Sequence, residues 1–306
     1  MLVIARSIQE WLPSSYTQHL NWFHAFFHIS IPFVGIVGVA FVPLKWNTAI
    51  LAVFMYWICS LGITAGYHRL WTHRSYEASL PLRLVLAILG AGALQWSIAW
   101  WVRHHRAHHR YTDTDKDPYN AKRGFFHAHL GWLIWHTPEK WGEVDLSDLV
   151  ADPVVTWQDR YYLVIAILTA FGLPAAVAHI GWGDCLGGLV YGGFVRVCAA
   201  SNVTYLINSL CHAPWAGSQP YSHRHSARDI AVMGFLNNGE GYHNFHHTFP
   251  RDYRNGVHWY DLDLSKWVIW TCSQLRLAST LTRVSESEIE KARQRQVDAS
   301  YTVREE

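Results

Sequence analysis

Nine histidines fall into four short clusters: His68 and His73 in HRLWTH, His105, His108 and His109 in HRAHH, His212 closing NSLCH, and His243, His246 and His247 in HNFHH. In the second and last clusters the spacing is i, i+3, i+4, which places three imidazoles within an arc of about 100° on one helical face. Imidazole is a borderline nitrogen donor that suits iron, copper and zinc. A structural zinc takes four ligands and a catalytic zinc usually three plus water, so nine histidines predict two metals. Only Cys211 lies beside a cluster and no haem motif is present, which leaves a pair of non-haem irons as the economical reading.

The remaining chemistry-bearing positions are less regular. His68 and His73 would lie about 140° apart on an ideal α-helix, so HRLWTH must unwind or sit at a helix end. Asn208 and His212 are four apart; they either satisfy a bundle interior or point at the other clusters. Asp113, Asp115, Asp117 and Glu240 are the acids nearest the clusters, and TDTDKD reads equally as a set of imidazole-orienting groups or an ordinary polar loop. Isolated histidines such as His19, His24, His28, His179 and His258 are ordinary core or surface residues.

Something must carry four clusters to one place, and the apolar residues say what. Of 306 residues, half are hydrophobic, with 17 Trp and 15 Tyr. Four mostly apolar runs near spanning length, residues 29–44, 49–66, 161–180 and 186–207, predict transmembrane helices. Trp22, Trp46, Trp157, Tyr161, Tyr162 and Trp182 crowd their ends, as amphipathic rings do in the headgroup zone. Short connections join spans one to two and three to four, giving two hairpins. The stretch 80–101 is also apolar. If it crossed the bilayer, His68 and His73 would be stranded opposite His105, His108 and His109, so it is expected to lie against the membrane face as an interfacial or cap helix entered at Pro81.

Charge sets the orientation. The hairpin turns carry only Lys45, whereas residues 67–160 hold eleven basic residues, so both termini and both large polar segments are expected on the cytosolic side. No cleavable signal pattern is present, so the first span is expected to direct insertion. A net charge of +2 gives no reason to expect nucleic acid, and five unpaired-looking cysteines imply neither disulfides nor a thiolate site. The expected architecture is an all-α integral membrane protein of four transmembrane helices under a cytosolic helical cap. It comprises an N-terminal segment 1–24, a membrane domain 25–280 with cap segments 67–160 and 208–280, and a polar tail 281–306.

The four clusters, read with their surroundings in HRYTDTDKDPYN and GEGYHNFHHTFPRDYRN, resemble the membrane fatty acyl desaturases, particularly the Δ9 acyl-CoA (stearoyl-CoA type) enzymes. HRYTDTDKDPYNAKRGF is most similar to the fungal members, and the resemblance runs from about Asn21 to Leu277. It implies a di-iron centre held by the nine histidines, with Asn208 bound through a water. It also implies O2 as co-substrate, a saturated acyl chain in a kinked tunnel, and insertion of a cis double bond. Tyr56, Ser60 and Thr64 fall on the same α-helical face as His68, so they point where an acyl tail would run, with Tyr56 a candidate stopper. Gln95, Trp101, Thr204 and Tyr205 match positions near the family's tunnel bend. For the charged headgroup of acyl-CoA, Arg103, Lys122, Arg123 and Lys140 are available.

Two departures leave an acyl lipid as the alternative substrate: His104 stands where animal relatives have Asp, and His136 and Thr137 where they have a basic pair. Many fungal members carry a fused cytochrome b5 domain, and no His-Pro-Gly-Gly element occurs here, so a separate donor is expected. That donor is cytochrome b5 with its reductase in an endoplasmic reticulum membrane, or ferredoxin in a bacterial inner membrane. An alkyl-chain hydroxylase would use the same ligands. A metal transporter would need polar groups through the middle of the spans, which are apolar.

Overall fold

The computed structural model describes residues 20–135 and 141–305, with side chains through residue 298. His19, His136, Thr137, Lys140 and most of the segment 1–24 therefore lie outside the described residues. Four helices are long and apolar enough to cross a membrane: α1 (Trp22–Phe41), α2 (Trp46–Thr72), α5 (Pro153–Trp182) and α6 (Cys185–His212). Between α2 and α5 come α3 (Leu80–Gly92) and α4 (Ile98–Tyr111); after α6 come α7 (Ala231–Leu236), α8 (His243–Thr248), α9 (Leu264–Gln274) and α10 (Glu286–Glu305). Sheet is confined, among the described residues, to β1 (Glu77–Ala78) against β2 (Ala278–Ser279), antiparallel.

The bundle turns its apolar surface outward. Phe33, Ile36, Phe41, Ile50, Leu163 and Ile180 are exposed, an arrangement that water penalises and lipid does not. The two hairpins are tied at their turns: Thr48 Oγ1 donates to Asp184 Oδ2 at 2.5 Å, and Trp182 Nε1 donates to Thr48 Oγ1 at 2.9 Å. At the opposite end, Trp71 Nε1 reaches Asp152 Oδ2 at 3.0 Å, and Asp152 also caps α5 through the Val154 and Val155 amides.

All four long helices extend past at least one end of their apolar runs. α2 continues to Thr72 and α6 to His212, carrying His68 and His212 on the membrane helices themselves. Hydropathy marks the lipid-facing part of a helix, and the polar turns beyond it stay helical although their winding changes. The stretch 80–101, expected as one interfacial helix, is two. Leu94 and Trp96 take left-handed φ values of 59° and 74°, and a new helix starts after Ser97, whose Oγ accepts from the Trp100 amide at 3.3 Å.

α3, at 13 residues, is shorter than a spanning helix and packs against α2 and α5. Its approach to α2 is possible only because both contact residues lack side chains. A Cβ on Gly62 would lie 2.1 Å from the Gly90 nitrogen. The end of α3 is held by Arg196 of α6, which is buried and donates to the carbonyls of Gly92 (2.6 Å), Ala170 (2.9 Å) and Gly192 (3.0 Å). A cation in the bundle interior is thus satisfied by orphan carbonyls at helix irregularities.

Candidate metal centre

The geometric problem posed by HRLWTH is solved by a change of helix type. From Gly62 to Thr72, α2 winds as a π-helix, whose i→i+5 hydrogen bonds stack residues five apart. The His73 amide donates to the His68 carbonyl at 3.1 Å, and the two rings meet edge-on with centroids 4.8 Å apart. α4 carries His105, His108 and His109, the 3-10 turn closing α6 carries His212, and α8 carries His243, His246 and His247.

These nine side chains form two groups. His68, His73, His105, His109 and His246 make one; His108, His212, His243 and His247 make the other; within each, one ligand atom per residue lies within 4.8 Å of the rest. The Nε2 atoms of His68 and His246 are 2.9 Å apart, those of His246 and His109 2.9 Å, His109 and His105 3.1 Å, His212 and His243 3.0 Å, and His247 and His243 3.1 Å. Two nitrogens bound at right angles to an ion at about 2.1 Å would be about 3.0 Å apart.

Three rings have their tautomer dictated. His68 Nδ1 faces Glu240 Oε2 at 2.7 Å, and His108 Nδ1 faces Asp117 Oδ1 at 2.9 Å. His212 Nδ1 meets Ser226 Oγ at 2.7 Å, and that hydroxyl donates to Asp113 Oδ1 at 2.5 Å. A carboxylate only accepts, and Ser226 has already given its proton, so each Nδ1 carries the hydrogen and each Nε2 turns a lone pair inward. Facing lone pairs repel, and a cation between them removes the conflict. His73 Nε2 is buried without a hydrogen-bond partner. Burial, and then the neighbouring imidazoles, hold His73, His105, His109, His243, His246 and His247 well below the ordinary histidine range, so these rings are neutral ligands. The donor set fits two transition-metal ions.

TDTDKD is therefore more than a polar loop at two positions and no more than that at a third. Asp117 gathers the Asp113 and Tyr119 amides as well as His108, and Asp113 holds Ser226, whereas Asp115 is exposed. Glu240 also accepts from Arg69 Nη2 at 3.0 Å, and Arg69 Nη1 pairs with Asp263 at 2.9 Å, all three buried. Burial opposes the Glu240 charge, but His68 and Arg69 outweigh it and hold its carboxyl below the usual range.

An apolar cavity opens on the histidines. His68, His105 and His243 form part of its wall together with Asn208 and Glu240. Among the sequence candidates, Thr64, Gln95, Trp101, Thr204 and Tyr205 line it, and Gln95 Nε2 donates to Thr204 Oγ1 at 2.9 Å across it. Tyr56 and Ser60 do not. Ser60 is buried, and Tyr56 lines a separate apolar groove with Ala52, Val53 and Tyr191 while donating to the Leu236 carbonyl at 2.7 Å. The π winding advances the helix face differently from the α-helix before it, so an α-helical face extrapolated from His68 does not reach back to residues 56 and 60. Arg103, Lys122 and Arg123 are exposed and outside the cavity lining.

Sequence reasoning missed Ile63, Trp96, Trp100, Tyr119, Trp132, Leu133, Ile207 and Asn237, which complete the wall. Trp100 had a local signal, four residues before His104, whose Nδ1 approaches its carbonyl at 2.6 Å. His225 was missed as well. Its ring lies 5.1 Å from that of His247, and burial pushes its pKa down to about 4. Nothing in SHRHS announces that approach, which depends on how the loop after α6 folds back.

The family model described as fatty acid desaturase matches residues 43–278. A Schizosaccharomyces pombe protein named probable acyl-CoA desaturase is 46% identical over 284 residues, 92% of this chain and 59% of that protein. Saccharomyces cerevisiae acyl-CoA desaturase 1 is 42% identical over 289 residues, 94% of this chain and 56% of its own. Bos taurus stearoyl-CoA desaturase 5 is 37% identical over 289 residues, 92% of this chain and 86% of its own. The chain thus spans somewhat over half the length of the two yeast relatives.

Proposed function

Because the chain belongs to the fatty acid desaturase family, we propose that it inserts a Δ9 cis double bond into a saturated fatty acyl-CoA at a di-iron centre, with O2 and two electrons. The observation that carries this reading is the pairing of two nitrogen-only metal groups with an apolar cavity that touches both. The names of the yeast and bovine relatives support acyl-CoA over an acyl lipid. Nothing in the site favours hydroxylation, and product analysis separates the two.

Iron at the two groups would supply the activation of O2 that removes hydrogen from two neighbouring methylenes. The protein's part is positional. Glu240, Asp117 and the Ser226–Asp113 pair hold His68, His108 and His212 in the ligating tautomer. Asn208, four residues before His212 and on the cavity wall, would complete the four-histidine group through a water. Trp96, Trp100, Trp101 and Trp132 keep the reacting carbons in an apolar surrounding, and the Gln95–Thr204 bridge would set the bend. Tyr56, which lies outside this cavity, is proposed as the tail stop for a chain that runs on past Thr64 along α2, with Ser60 as its neighbour. Arg103, Lys122 and Arg123 would meet the CoA phosphates.

The basic residues after α2 and the single Lys45 in the hairpin turns support a cytosolic cap; the domain bounds given above, an endoplasmic reticulum membrane and cytochrome b5 as electron donor belong to the same proposal. The test is expression in a host lacking its own desaturase, with gas chromatography of its fatty acids. Growth without added unsaturated lipid and a new Δ9 acid are expected, and His105→Ala should abolish both. A hydroxylated product, or none, would sink the proposal.

A further inference from the structure

The five-histidine group has a second face. His68 and His105 look into the acyl cavity, but His73 borders a different groove, lined by Thr72, Arg74, Arg106, Arg110, Arg251 and Asp145, and no lining residue is common to the two. A centre reached from two sides can take substrate from one and electrons from the other.

The charge of the groove says what fits it. Four guanidinium groups face two carboxylates, Asp145 and Asp148, which leaves two positive charges uncompensated. Arg106 is committed to the fold, since it donates to the Trp71 and Thr72 carbonyls at the end of α2 and holds Asp148 through both nitrogens at 2.7 Å. Arg74 shares Asp148 at 3.0 Å with a side chain that is 58% exposed. Arg110 is exposed, with its ring neighbour Tyr111 and a Glu143 carbonyl at 3.5 Å, and Arg251 is exposed as well. An exposed cationic rim around an inward-pointing metal ligand suits an acidic protein surface, which such a rim both attracts and orients.

We propose, resting on the di-iron reading above, that this groove docks the acidic face of a one-electron carrier protein, which reduces the metal pair through His73. At each encounter the carrier loses one electron and the pair gains it, so two encounters supply the two electrons of one turnover.

The test uses the full-length, iron-loaded protein in detergent and the soluble haem domain of cytochrome b5 as probe. Arg110→Glu combined with Arg251→Glu should weaken probe binding at low ionic strength at least tenfold and flatten its salt dependence. Reduction by the probe should slow in proportion, while reduction by dithionite at high salt keeps the wild-type rate. Arg295→Glu on α10 should bind as wild type. Both arginines are exposed, and iron content with thermal midpoint verifies folding. Unchanged affinity and unchanged probe-driven reduction in the double variant would overturn the proposal, as would displacement of the probe from the wild type by coenzyme A at constant ionic strength, which would assign the groove to phosphate. A wild type that binds no iron, or whose iron dithionite cannot reduce, would instead remove the di-iron reading itself.

Discussion

At the scale of single residues, the site depends on acceptors that never touch a metal. Asp117 and Glu240 each fix one ring, and such partners are worth 10–100-fold in metal affinity. Asp117→Asn should therefore lower iron affinity by about that factor with little loss of helicity, measured by competition with a chromogenic chelator alongside circular dichroism. Glu240 has a second duty, because it shares Arg69 with Asp263 in a fully buried cluster. Arg69→Met leaves two buried carboxylates short of their cation and should destabilise the protein by about 3–5 kcal/mol. Its thermal unfolding should shift far more than that of Asp117→Asn; equal shifts would mean the cluster is not the keystone described.

At the scale of elements, two irregularities do the positioning. The π-helical end of α2 turns a five-residue histidine gap into a shared face, and the glycine contact between Gly62 and Gly90 lets α3 lie close enough to deliver Gln95 and Trp96 to the cavity. Gly62→Ala places a methyl where the Gly90 backbone already stands. Overpacking of this kind costs about 1–3 kcal/mol. The expected result is a lower thermal midpoint together with an altered product profile, since the segment following α3 lines the proposed acyl cavity. An unchanged midpoint would show that the two helices separate freely.

At the scale of the whole molecule, four distant segments meet at the nine histidines, and metals held there would join them most directly. Nine imidazoles gathered without ions would leave inward lone pairs facing one another, so metal binding and folding would be coupled. Removing iron with a strong chelator should lower the thermal midpoint. At a hundredfold excess of free metal over its dissociation constant, each site contributes about 2.7 kcal/mol. If the acyl tail runs on past Thr64 to Tyr56 as proposed, Tyr56→Ala should move products toward longer chains by gas chromatography, and an unchanged chain-length distribution would remove it from the path.

The sequence by itself marked the nine histidines that the fold gathers, because histidine triplets at helical spacing and four apolar runs are local patterns that need no neighbour to be read. The same patterns were enough for the helical membrane architecture and the family. Tertiary structure alone decided the partition of nine histidines into five and four, since His246 and His247 are adjacent in sequence yet join different groups. It also decided that Asp113 acts through Ser226, that Asp115 acts on nothing in the site, and that Tyr56 and Ser60 leave the main cavity. These follow from helix winding and from contacts between residues far apart in sequence, such as Ser226 and Asp113. Spacing along one strand of sequence fixes a face only while the helix keeps one pitch, and here the pitch changes where the metal site begins.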